Sequence, residues 1–119
     1  MKSERKYLWC ILVPTQMDRE GTLCNIRKRF HQVWDAKVRA ITGGLTIHLP
    51  AKGNWISLDG ELFEERMIPV QIYCTEQQIN DIADLSAKFY NQLAIMYWVV
   101  SRKVRIRHYD KTGKHAKTT

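Results

Sequence analysis

The sequence predicts an α+β domain, an antiparallel sheet that carries two helices on one face. Three observations predict it. Segments 7–13 and 94–100 are apolar at nearly every position, as strands covered on both faces are. Segments 23–42 and 76–93 space their apolar residues by three and four, as amphipathic helices do. Between them Leu45-Thr-Ile-His-Leu49 alternates, and Asp59-Gly60 marks a hairpin.

Taken in order, 7–13 is the first strand and 14–21 a polar loop. The first helix presents Leu23, Ile26, Phe30, Val33, Trp34, Val38 and Ile41, and Gly43-Gly44 ends it as a left-handed cap. In the next strand Leu45, Ile47 and Leu49 face the core, with Thr46 and His48 opposite. A short strand over 55–58 turns at Asp59-Gly60 into a return strand over 62–74. Pro69 within it has no N–H to give, which predicts an edge position or a bulge. Thr75-Glu-Gln-Gln78 has the form of a capping box. The second helix follows, with Ile79, Ile82, Ala83, Leu85, Phe89, Tyr90 and Leu93 on its apolar face. Strand 94–100, a turn at Ser101-Arg102 and a last strand over 104–109 complete the pattern. This order is that of a ferredoxin-like split β-α-β unit with an extra hairpin and an extra C-terminal strand. One domain over 1–110 is expected, with 111–119 as a basic polar tail.

Apolar residues at 45% and charged residues at 26% place the chain among globular proteins. No apolar run approaches the ~18 residues of a bilayer span. The charged start over 1–6 leads into a short apolar stretch that breaks at Pro14, unlike a signal peptide. A cytoplasmic protein with no membrane partner is therefore expected. Cys10, Cys24 and Cys74 are odd in number and widely spaced, which suits reduced thiols. His31, His48, His108 and His115 form no zinc-like cluster with them. Glu61, Glu64 and Glu65 flank a hairpin tip without a paired base or nucleophile, and read as solubilising charges. No phosphate-binding glycine loop or nucleophile elbow is present, so no cofactor, metal or catalytic residue is expected.

The net charge of +7 is concentrated at one end: residues 102–119 hold seven cations against Asp110 alone. Such asymmetry points to an anionic partner there. In a strand over 103–109, Lys103, Arg105, Arg107 and Tyr109 share one face, with Val104 and Ile106 on the other. Arginine forks suit phosphate oxygens and tyrosine can stack on a base. The same ladder also suits a solvated edge strand that resists aggregation, or salt bridges between subunits. Lys37 and Arg27 fall inside the apolar arc of the first helix at about 100° per residue. Either they snorkel, or Arg27 reaches a ligand at the helix edge. His48, near Lys52, is a further candidate contact or a surface histidine, and Trp55 a hairpin packing residue or a stacking platform. Helices cover only one face of the two apolar strands, so a second copy of the chain is expected on the other, giving a dimer or higher oligomer; the alternative is that the tail or the long hairpin folds back over it.

Gly44-Leu-Thr-Ile, Gly53-Asn-Trp, Asp59-Gly60, Glu64-Glu-Arg and the Tyr90 segment resemble, in order, a family of small uncharacterised bacterial domains. The resemblance spans 7–109 and implies the ferredoxin-like fold, with no activity to carry over. In size, expected oligomerisation and basic-aromatic surface the chain is also similar to phage-encoded nucleotide sponges of the anti-Thoeris type. That likeness implies sequestration of a cyclic or ADP-ribose-type signalling nucleotide. Three classes of function follow: a non-catalytic binder of a nucleotide-like small anion, its site expected at a dimer seam from the 103–109 ladder and aromatics, a nucleic-acid-binding accessory protein, and a small enzyme on a ferredoxin-like dimer.

Overall fold

The computed structural model describes residues 5–118, so most of the charged start lies outside the described residues. Along them the chain runs β1 (Lys6–Pro14), β2 (Gln16–Arg19), β3 (Thr22–Asn25), α1 (Lys28–Thr42), β4 (Thr46–Ile47), β5 (Ala51–Ile56) and β6 (Leu62–Thr75). It continues with α2 (Glu76–Phe89), β7 (Tyr97–Ser101), β8 (Arg107–Tyr109) and β9 (His115–Thr118). The main sheet has the order β4-β6-β1-β7, with β5 on the other half of β6, and every pairing is antiparallel. The fold is α+β and ferredoxin-like, as the sequence predicts.

One face of this sheet is sealed. Trp9, Ile11 and Val13 of β1 stand opposite Ile72, Val70 and Ile68 of β6, and period two puts all six on the same side. Trp34 and Val38 of α1, Ile79, Ile82 and Ala83 of α2, and Tyr90 beyond it close over them. Each large side chain so buried contributes about 1.5–3 kcal/mol. The polar atoms inside are satisfied: the Trp34 indole N–H donates to Ser86 Oγ at 2.9 Å, and that hydroxyl donates to the Ile82 carbonyl at 2.6 Å. Both helix ends form as read. Gly43, at φ 89°, caps α1 through its N–H to the Arg39 carbonyl. At α2, Thr75 Oγ1 accepts from the Gln78 N–H, and Gln78 Oε1 from the Thr75 N–H.

The structure corrects several expectations. The stretch read as a loop and first helical turn, 16–25, is a β-hairpin, and α1 begins only at Lys28. Leu23 is exposed on β3, and Arg27, placed in the helical arc by the periodicity, is the extended residue before the helix. Glu20 and Gly21 both adopt positive φ in the hairpin turn, where glutamate gives little advance signal. Pro69 sits in a central strand. Its carbonyl accepts from the His48 N–H at 2.9 Å, and it has no N–H to return. The missing donor falls where β4 has ended and β5 has not begun. Strand 94–100, apolar like a strand covered on both faces, begins later, as β7, and lies at the sheet edge. The strand expected over 104–109 shrinks to β8, which pairs with β9 and stays off the main sheet. Residues read as a polar tail thus form half of a second hairpin.

Among the described residues no helix lies on the opposite face of the sheet. Leu8, Cys10 and Leu12 of β1, Tyr73 of β6, and Trp98 and Val100 of β7 point that way, with Trp98 40% and Val100 45% exposed. Two hairpins extend beyond the sheet. One is β5 with residues 62–66 of β6, past the end of β1, bearing Asp59, Glu61, Glu64 and Glu65 toward its tip and Lys52 opposite Arg66 at its base. The other is β8–β9, bearing exposed Arg107, Lys111 and Lys114. The radius of gyration is 16.9 Å and the long axis 54 Å. A compact chain of this length would have a radius of about 13.5 Å.

Candidate ligand groove

The start of α1 is electrostatically unusual. Arg27 provides no side-chain cap, the first turn contains no acid, and Arg27, Lys28 and Arg29 stand together at the positive end of the helix dipole. Helices usually place carboxylates there, so three cations raise a potential that only an anion lowers.

Beside this end lies a groove of about 260 Å³ between α1 and strands β4 and β6. Its walls are apolar (Val13, Trp34, Ile47, Ile68 and Val70), and its polar lining comes from α1 alone: Lys28, His31, Gln32 and Asp35. Such concavity, largely apolar with a few convergent polar groups, is the usual form of a small-molecule site. Helical spacing brings His31, Asp35 and Arg39 to one stripe of α1, each four residues from the last.

Behind the stripe is Tyr90, wholly buried between the helices and ringed by Phe30, Trp34 and Phe89. Its hydroxyl lies 2.7 Å from His31 Nδ1. Burial, reinforced by the Asp35 charge, pushes the Tyr90 phenol far above its ordinary range, so it stays protonated. Burial also lowers the proton affinity of His31, against the pull of Asp35. The Asp35 carboxyl is raised by burial, and the His31 and Arg39 charges oppose that rise.

The residues singled out in the sequence divide into two places. Arg27 immediately precedes the groove residue Lys28, and His48 follows Ile47; both side chains are exposed. Lys103, Arg105, Arg107 and Tyr109 do not form one strand face, because 103–106 are irregular and only Arg107 and Tyr109 lie in β8. Tyr109 meets His115 edge to face at 6.0 Å across the hairpin, and all four are exposed. Arg102 instead lies over the Tyr7 ring, 5.8 Å from its centroid. Lys37 and Lys52 are exposed, and Trp55 stacks on Phe63 at 4.8 Å, the packing role. His31 and Asp35 escaped the sequence reading, although their spacing of four beside a basic helix start was visible there. Their link to Tyr90 crosses 59 residues and has no local signal. Among the described residues no cluster of histidine, cysteine and carboxylates suits a metal, and no helix is long and apolar enough to cross a membrane.

No family profile matches the chain, and no curated protein matches it. Solved structures do. The divalent cation tolerance protein CutA1 from Thermus thermophilus superposes with a TM-score of 0.58 at 8% identity, covering 80% of this chain and 82% of that one. CutA1 from Ehrlichia chaffeensis gives 0.57 at 8% identity, covering 94% and 92%. A phage SAM lyase in complex with S-methyl-5′-thioadenosine gives 0.58 at 11% identity, covering 100% of this chain and 91% of the lyase. The chain shares the small ferredoxin-like fold of these proteins, and at such identities the likeness is one of fold alone.

Proposed function

We propose that this protein is a homo-oligomeric, non-catalytic binder of a nucleotide-like small anion, with the ligand seated in the α1 groove. The observation that carries the reading is the groove itself: apolar walls around about 260 Å³, opening beside Arg27, Lys28 and Arg29 at a helix N-terminus whose first turn holds no acid. Arg27 and His48, which adjoin its lining, are the peripheral contacts. The phage lyase of like fold holds a nucleoside, which supports the ligand class. Sequestration of a signalling nucleotide, as by a phage sponge, is the biological role that such a binder fits. The uncovered sheet face supports self-association. Native mass spectrometry of protein purified from cells tests both parts, with an oligomer carrying a co-purifying small anion expected. Lys28→Glu should abolish the bound anion while leaving the oligomer intact. A bare monomer would refute the reading.

A second reading rests on the basic arm. Exposed cations on a projecting two-stranded ribbon suit phosphate contacts with nucleic acid. Replacing Lys111 and Lys114 by Gln should then lower the salt slope of duplex binding by about 0.9 per lost contact. An unchanged slope removes the arm from that role.

A further inference from the structure

Tyr90 does more than fill the core. Its phenol is fully buried, and a buried hydroxyl proton needs an acceptor. His31 Nδ1, at 2.7 Å, is the acceptor the fold supplies. A ring nitrogen that accepts carries no proton, so in neutral His31 the proton is on Nε2. Protonating the ring would put a second donor against the phenol, which the enclosure disfavours. Nε2–H has no protein partner among the described residues, and His31 is a groove residue. One turn further along the same stripe, the Asp35 carboxylate supplies an acceptor. The facing strands contribute only Val13, Ile47, Ile68 and Val70, so the groove's polar code is written by α1.

We infer that Tyr90 locks His31 as a donor beside the Asp35 acceptor, and that the groove recognises a flat heterocycle edge with an acceptor nitrogen next to an amino group, as in aminopurines such as adenine. The inference deepens the groove reading above and rests on it. Asp35 takes the amino hydrogens, His31 donates to the ring nitrogen, the apolar walls receive the ring faces, and Lys28 remains for the phosphate. A 6-oxopurine reverses that edge, placing an acceptor against Asp35 and a ring N–H against His31. Sites built to hydrogen-bond one pattern reject the reversed one strongly, because buried polar groups are left unpaired.

Two measurements test this on the intact protein. Nitrogen-15 NMR of the free wild type should show His31 as a neutral Nε2–H tautomer at pH 7, and Tyr90→Phe, which keeps the packing, should mix the tautomers. Calorimetry with adenosine 5′-monophosphate and inosine 5′-monophosphate should give at least about tenfold preference for the former, and Asp35→Asn should narrow it. An Nδ1–H tautomer or a charged ring in the wild type overturns the lock, whatever binds. Equal affinity for the two nucleotides overturns the base assignment while leaving the groove as a nucleotide site. Failure of both nucleotides to bind, with the tautomer as expected, overturns the groove reading and the base assignment with it.

Discussion

The two faces of the sheet come from the same strands and meet opposite fates. On β1, Trp9, Ile11 and Val13 are sealed under two helices, while Leu8 and Leu12, equally apolar, stand half-buried on a face that no helix covers. On β7 the contrast is sharper, with Tyr97 and Val99 packed against the core and Trp98 and Val100 exposed. Hydrophobicity alone therefore does not say what covers a strand. The helices account for one set of residues, and the oligomer proposed above would cover the other.

The largest effect should come from breaking the sealed face. Ile72→Ala removes a fully buried side chain from the centre of the core and should cost about 2–5 kcal/mol in chemical denaturation. Trp98→Asp on the open face should leave the protomer folded, because Trp98 is already 40% exposed and only Cys10 beside it is buried. It should instead dissociate the oligomer in sedimentation at micromolar concentration. Loss of folding from this change would mean that the open face is core after all.

Two cysteines sharpen the contrast. Cys74 is on the sealed face, its thiol pushed up to about 11 by burial against the pull of Lys6. Cys10 is on the open face, 4% exposed, raised by burial, and stands directly opposite Trp98. Trp98→Ala should speed alkylation of Cys10 severalfold while Cys74 stays protected, as peptide mapping would report. Equal protection of both would show that Trp98 is not the cover.

The smallest effect concerns pH. His31 binds its proton less readily in the fold than in the unfolded chain, so stability should decline as pH falls from about 6.5. Asp35 works in the other direction: its raised carboxyl binds a proton more readily in the fold, adding stability as pH falls toward about 3.8. His31→Gln should remove the first effect, seen as a smaller fall in denaturation midpoint between pH 7 and 5.5 than the wild type shows.

How much of this was legible depended on the range of the interaction. Gly43 and the Thr75–Gln78 box are local devices, and both helix ends follow from a few adjacent residues. The β2–β3 hairpin was not legible, because its turn uses glutamate where asparagine or glycine would signal it. Pro69 misled for a tertiary reason, since only the break between β4 and β5 makes a central proline tolerable. Of the candidate site, Arg27 and His48 adjoin the groove, but its chemistry lies with His31 and Asp35. Those acquire meaning only through Tyr90, which the fold brings to them from beyond α2.

The two projecting arms have one consequence for how the molecule meets its surroundings. At physiological ionic strength a charge is felt over about 8 Å, a small part of a body 54 Å long. A resin, a membrane or another protein therefore never encounters the sum of +7. It encounters whichever arm arrives first, so that retention on a cation exchanger should fall more on replacing Arg107, Lys111 and Lys114 than on removing as many cations elsewhere.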